Sequence, residues 1–231
     1  MRTPKLDRPT APKSTATATK DPKQQTAAAA AAPSLEPRLA FEDFLALLSA
    51  KDRQNAEKHV LAVEALPEGK RHATLWKRLA TALATLAPHA AKLGPQQSVL
   101  FFVPDGPYKM QVFALHDPRD GGISLYCGDM LAEATKQGVL SPAPGAASTA
   151  AATATEDAKA SFRPYRVAGT EDVLLVEPFD ATAGNLPAFS RNLVGWSRRA
   201  IHLRIPVEAT EPQIQAVEKL CLLTAQKLKK A

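Results

Sequence analysis

The stretch 98-SVLFFVPDGPYKMQVFALHDPRDGGISLYC-127 contains three apolar segments separated by two short polar segments. Pro104–Pro107 and Asp117–Gly122 are rich in Pro, Asp and Gly, the residues that tight turns require. Connections this short allow successive strands to pair only in the antiparallel sense. The stretch therefore predicts a three-strand antiparallel meander, with strands at 98–103, 108–116 and 123–127.

Three helices are predicted upstream of the meander, at 41–48, 52–66 and 70–87. In the first, apolar residues recur at intervals of three and four positions, which is typical of one buried helix face: Phe41, Phe44, Leu45 and Leu48. Pro67-Glu68-Gly69 separates the second helix from the third, and Pro88 ends the third. We expect an antiparallel helical layer.

Downstream, strands are predicted at 172–177 and 200–205, and helices at 129–136, 186–198 and from Thr210 onward. Thr210 and Gln213 have the spacing of a capping box, which marks the start of the last helix. Two strands alone are only marginally stable, so both are expected to join the meander. The predicted fold class is α+β: an N-terminal helical layer packed on a mainly antiparallel sheet (the meander plus two later strands), with a long C-terminal helix.

Two segments have a composition typical of disorder. Residues 1–34 are rich in Ala, Pro, Thr and Lys and contain no aromatic residue, and residues 141–160 are mostly Ala, Thr, Ser and Pro. Such segments bury too little apolar surface to offset their conformational entropy. We therefore predict a disordered basic tail at 1–34 and a single domain at 35–231, interrupted by a disordered excursion at 141–160.

The positive charge of the protein is concentrated in the tail. Of the formal net charge of +6, residues 1–38 carry +4, from seven Lys/Arg and three Asp/Glu, and the remaining chain carries +2. A fold that reads duplex DNA usually has a concentrated basic surface. The distribution of charge therefore argues against recognition of duplex DNA by the folded part. Weak, sequence-independent association of the tail with nucleic acid remains an alternative.

The location of the protein is also constrained by its sequence. No apolar run reaches the ~18 residues that a membrane-spanning helix needs, and no apolar segment typical of a secretory signal follows the first basic residues. Two cysteines are too few for a disulfide framework. We expect a cytoplasmic protein that does not contact a membrane.

Cys127 is the strongest candidate for a catalytic residue. It ends a predicted strand just before a predicted helix, where the helix dipole lowers the pKa of a thiol. His116 or His202 would then act as the base. The alternation of Ile123, Leu125 and Cys127 instead indicates a buried structural cysteine, and this interpretation is favoured.

No metal or cofactor site is predicted. Asp117, Asp120 and Asp129 lie near the second turn, but their spacing fits turn chemistry and not a calcium loop. The spacing of three histidines suggests that they share no face and form no metal pair: His59, His72 and His89. Phosphate-loop, dinucleotide-binding, serine-hydrolase and zinc-protease motifs are absent from the sequence.

The densest basic cluster outside the tail lies around the strand at 200–205: Arg191, Arg198, Arg199, His202 and Arg204. It is a candidate contact surface for an anion or an acidic partner. The favoured hypothesis for function is a non-catalytic protein-interaction or assembly module whose partner is a protein. The alternatives are an enzyme with a Cys127 nucleophile, and weak nucleic-acid association through the tail.

Overall fold

Eight strands form one antiparallel sheet in the computed structural model, which describes residues 39–93, 98–105, 108–117, 122–143, 162–180 and 199–228. The strands are β1 His89–Leu93, β2 Ser98–Asp105, β3 Tyr108–His116, β4 Gly122–Gly128, β5 Leu140–Pro142, β6 Arg163–Val167, β7 Val173–Asp180 and β8 Arg199–Pro206. Their order across the sheet is β1-β2-β3-β4-β8-β7-β6-β5. The predicted meander is confirmed as β2-β3-β4, and β8 pairs with β4 as expected.

Helices flank the sheet in the order that the sequence predicts. The described helices are α1 Phe41–Ala46, α2 Ala50–Glu64, α3 Gly69–Leu86, α4 Leu131–Lys136 and α5 Glu211–Leu228. The α+β class, the N-terminal helical layer and the long C-terminal helix are therefore confirmed. The tail at 1–34 and the helix predicted at 186–198 lie outside the described residues.

Three strands were not expected from the sequence. These are β1, β5 and β6, of which β5 and β6 pair with each other beyond β7. The first residues of the predicted excursion at 141–160 are ordered, because Ser141 and Pro142 belong to β5 and Ala143 N donates to Pro164 O at 3.1 Å. Residues 144–161 lie outside the described part of the chain.

One face of the sheet carries the main hydrophobic core. The alternation along β4 points Ile123, Leu125 and Cys127 toward the helices, where all three are fully buried. Core residues from each of the five helices pack with them, including Phe44 and Val217. A smaller apolar cluster lies on the opposite face: Ala114, Tyr126, Phe179 and Leu100. The two faces of the sheet therefore have separate environments.

Aromatic rings anchor the first helices to the sheet. Phe44 of α1 lies 6.1 Å from Trp76 of α3, edge to face, and 6.1 Å from Phe101 of β2. All three side chains are almost completely buried. Burial of each large apolar side chain contributes about 1.5–3 kcal/mol.

The C-terminal helix is fixed at its start and along its length. Thr210 N donates to Gln213 Oε1 at 2.8 Å and Gln213 N donates to Thr210 Oγ1 at 3.4 Å, which confirms the capping box. Arg78 of α3 forms ion pairs with Glu211 and Glu218 of α5. Hydrogen bonds to Glu211, followed by those to Glu218, raise the pKa of Arg78 despite its partial burial.

Candidate functional site

Cys127 lies on the helix-facing side of β4 and has no exposed surface. Its thiol is close enough to hydrogen-bond with Cys221 of α5, and both cysteines are free thiols. Burial, followed by this hydrogen bond, raises the pKa of Cys221 well above its ordinary value. The pair therefore packs as two small apolar side chains.

The two histidines proposed as bases are not near the Cys127 side chain. In the register between β4 and β8, Tyr126 pairs with His202 and Cys127 pairs with Ile201. Successive side chains of a strand point to opposite faces, so His202 lies on the face opposite Cys127. His116, which pairs with Ser124, shares the face of His202. The structure does not bring these three residues together into a nucleophilic site.

His202 lies in an aromatic and acidic environment on that opposite face. Its ring stacks on Tyr126 at 4.3 Å with an interplanar angle of 6°, and Phe162 lies 5.0 Å away. Nδ1 lies 3.3 Å from Oε2 of Glu177, within hydrogen-bond distance. The cluster combines three titratable groups: His202, Glu177 and Tyr126. Among the site residues predicted from the sequence, His202 has the most strongly perturbed surroundings.

Burial dominates the protonation behaviour of this cluster. It lowers the pKa of His202 to about 4, with the charges of Arg204 and His116 acting in the same direction. Burial also raises the pKa of Glu177, and it raises the pKa of Tyr126 to about 12 with a further contribution from Glu177. Near neutral pH, His202 is therefore uncharged, and its contact with Glu177 is a hydrogen bond and not an ion pair.

The pKa of His202 leads to a prediction about stability. Between pH 7 and pH 5, His202 becomes protonated in the unfolded chain but not in the folded chain. The free energy of unfolding therefore decreases as the pH is lowered from 7 to 5. From an ordinary value near 6.5 and a folded value of about 4, the loss attributable to His202 is about 2 kcal/mol. The raised pKa of Glu177 acts in the opposite direction, because the folded state then binds that proton first.

Urea unfolding of the wild-type protein and of His202→Gln at both pH values measures this effect. We expect the difference in unfolding free energy between pH 7 and pH 5 to be about 2 kcal/mol smaller in the variant. The titratable groups that lie away from His202 are common to both proteins, so their contributions to the pH dependence cancel to first order. The same pH dependence in the variant and the wild-type protein would contradict the lowered pKa of His202.

A buried cluster that the sequence did not predict joins α2, α3 and the end of β3. Asp117 Oδ2 lies 3.0 Å from His59 Nε2, with which it hydrogen-bonds, and 2.9 Å from His72 Nε2. The His72 contact has an ion-pair distance without the alignment of a hydrogen bond. Asp117 is 1% exposed and both histidines are buried.

His59 and His72 lie on different helices, as their spacing indicates, but α2 and α3 pack side by side and direct both rings to one carboxylate. The only pattern that could have suggested it is the placement of one histidine in each of two helices joined by a short break. Of the three aspartates that the sequence places near the second turn, Asp117 is part of this buried cluster. Asp129 lies at the start of α4, where its Oδ1 accepts a hydrogen bond from Leu131 N at 3.2 Å. Asp120 lies outside the described residues.

The predicted basic cluster is divided between the two faces of the sheet. Arg199 lines a cleft of about 560 Å³ between α4, β6 and the end of α5. Arg204 lines a smaller depression of about 170 Å³ with Val173, Leu175 and Pro206. Arg191 and Arg198 lie outside the described residues. Residues 199 and 204 of one strand differ by an odd number, so they cannot share a face.

The described residues, 39–93, 98–105, 108–117, 122–143, 162–180 and 199–228, contain neither a cluster of metal ligands nor a membrane-spanning helix. Among them, no group of three or more His, Cys, Asp or Glu side chains could hold a metal ion. In the same residues, no helix combines the length and the apolar character that a membrane crossing requires. No protein-family model, curated protein or solved structure gives a significant match to the chain.

Proposed function

We propose that this chain is a non-catalytic protein-interaction or assembly module that binds a protein partner on the sheet face opposite the helices. The observation that carries the proposal is the exposure of Val173 and Leu175 of β7, at 37% and 41%. The intervening Leu174 and Val176 are buried in the core on the other face. Strand β7 is thus apolar on both faces in this segment.

An antiparallel strand with one face on the core usually presents polar residues on the other face. Exposed apolar residues that lie together on a sheet are instead typical of interaction surfaces. The depression around Leu175 is lined by Val173, Pro206 and Arg204. Arg204 is exposed and forms no ion pair with another residue of the described chain. The surface therefore fits a partner that presents apolar side chains beside a carboxylate.

Substitution of Leu175 by aspartate tests this surface. A charge in the depression opposes burial of the apolar contact and repels a carboxylate, so we expect recovery of the partner to fall at least tenfold. The measurement is quantitative affinity purification of the tagged protein, with light scattering to detect self-association. Leu61→Asp is the matched control, because Leu61 is 66% exposed on α2, away from the sheet surface.

The proposal fails if the wild-type protein remains an unpartnered monomer, or if Leu175→Asp and Leu61→Asp reduce recovery equally. The competing hypothesis of a Cys127 nucleophile is separated by thiol labelling of the native protein. Because both cysteines are buried, neither should react before denaturant is added. Rapid labelling of Cys127 in the native protein would favour the enzyme instead.

A further inference from the structure

The cleft beside α4 is a second feature with the dimensions of a binding site, on the helix-facing side of the sheet. Its volume of about 560 Å³ lies within the range of ~300–1,000 Å³ that is usual for small-molecule sites. Its wall comes from α4, β5, β6, β7, the start of β8 and the end of α5. The cleft is separate from the depression around Leu175, which lies on the other face.

Cationic side chains enter this cleft from three different elements. They are Arg163 of β6, Arg199 of β8 and Lys227 of α5. Among the described lining residues, Asp129 is the acidic one, and its formal charge offsets that of one of the three cations. Within the described part of the chain, neither the Arg163 nor the Lys227 side chain forms a hydrogen bond or an ion pair. The described lining residues therefore carry a formal charge of +2.

The remaining lining supplies hydroxyl groups and an apolar surface. Thr135 and Tyr165 provide hydroxyls that can donate to an anionic oxygen. Leu131, Pro142 and Pro178 provide apolar surface next to the Tyr165 ring. An anion held only by its charge would not require this apolar wall, whereas an organic ligand with a charged end would use both parts.

We propose that this cleft binds a small organic phosphomonoester, with its phosphate between Arg163 and Lys227 and its organic part against the apolar wall. A phosphomonoester carries a charge of about −1.5 to −2 near neutral pH, which matches the two cations. The planar guanidinium of Arg163 can donate two parallel hydrogen bonds to phosphate oxygens, and Lys227 supplies a point charge. A monocarboxylate would leave one of the two cations without a counter-charge.

Calorimetric titration with phenyl phosphate, inorganic phosphate and benzoate tests the ligand class on the full chain. We expect phenyl phosphate to bind at least tenfold more tightly than benzoate, which has the same ring and one negative charge. We also expect it to bind more tightly than inorganic phosphate, which lacks the ring. Equal affinity for phenyl phosphate and benzoate would overturn the proposal, as would no binding of phenyl phosphate at ~10 mM.

Arg163→Gln and Lys227→Gln locate the site, and each is expected to weaken phenyl phosphate binding at least tenfold. Lys58→Gln is the matched control, because it removes one exposed positive charge from α2 and should change affinity less than twofold. Lys227 is exposed near the end of α5, so its variant folds even if Arg163→Gln does not. Equal weakening in all three variants would show only non-specific charge attraction and would refute the site.

Titration with a single-stranded oligonucleotide that lacks a terminal phosphate distinguishes binding of a small phosphomonoester from binding of a nucleic-acid backbone. If the oligonucleotide binds more tightly than phenyl phosphate and loses affinity in both cleft variants, the cleft is a nucleic-acid site and the proposal is wrong. Oligonucleotide binding that is unaffected by the cleft variants supports the proposal, because it then belongs to another surface. Neither result depends on the protein partner proposed for the sheet face.

Discussion

Replacement of Asp117 by alanine is expected to lower the free energy of unfolding by about 3–5 kcal/mol. The carboxylate is 1% exposed and lies 3.0 Å from His59 Nε2 and 2.9 Å from His72 Nε2. Its removal leaves His59 Nε2 without its hydrogen-bond partner and takes away the carboxylate that lies beside His72 Nε2. Removal of one partner of a buried pair typically costs about 3–5 kcal/mol. Urea unfolding followed by circular dichroism measures the loss.

Two variants separate this effect from the general loss of an aspartate. Asp117→Asn keeps the size and one acceptor oxygen, so we expect a smaller loss of about 1–2 kcal/mol. Asp172→Ala removes a partly exposed carboxylate that accepts one hydrogen bond, from Thr210 Oγ1 at 2.7 Å. A cost of Asp117→Ala no greater than that of Asp172→Ala would show that the buried cluster does not stabilise the fold.

This cluster also illustrates which part of the site the sequence could not provide. His59 and Asp117 are 58 positions apart in the chain, and their contact depends on how α2 and α3 dock on the end of β3. Neither residue belongs to a spacing pattern, because periodicity describes one element at a time. Long-range docking of helices on a sheet was therefore the missing information.

The elements that the sequence predicted well have strong local patterns. The meander has apolar strands separated by Pro- and Gly-rich turns, and the start of α5 has the Thr210–Gln213 capping box. The three unpredicted strands lack such patterns. Strand β1 contains two alanines, β5 has three residues, and β6 contains Pro164, which disfavours a strand assignment. Pairing with neighbouring strands, and not local propensity, determines their conformation.

The candidate site residues lie where strand alternation places them. Cys127 pairs with Ile201, whereas His202 pairs with Tyr126, so the thiol and the imidazole point to opposite faces. The same alternation separates Arg199 from Arg204. Closeness in sequence grouped Arg199 and Arg204, although the two-residue period of a strand already excludes a shared face for these two residues.

Replacement of Gly69 by alanine is expected to destabilise the protein by at least about 3 kcal/mol, at the upper end of overpacking costs. Gly69 begins α3, and alanine normally favours a helix by about 1 kcal/mol over glycine, so propensity alone predicts the opposite sign. A Cβ at this position would lie 1.9 Å from Val63 O and 2.9 Å from Val63 C. Both contacts involve backbone, so the turn between α2 and α3 must open to relieve them.

The matched control is Gly138→Ala, which introduces the same methyl group where no atom lies within 4 Å. Gly138 has φ of +65°, so its replacement carries only the conformational cost, about 1 kcal/mol. A Gly69→Ala cost no larger than that of Gly138→Ala would contradict the close packing of the two helices. Opening this turn would also move His59 and His72 away from Asp117. The combined effect of Gly69→Ala and Asp117→Ala should therefore be smaller than the sum of their separate effects.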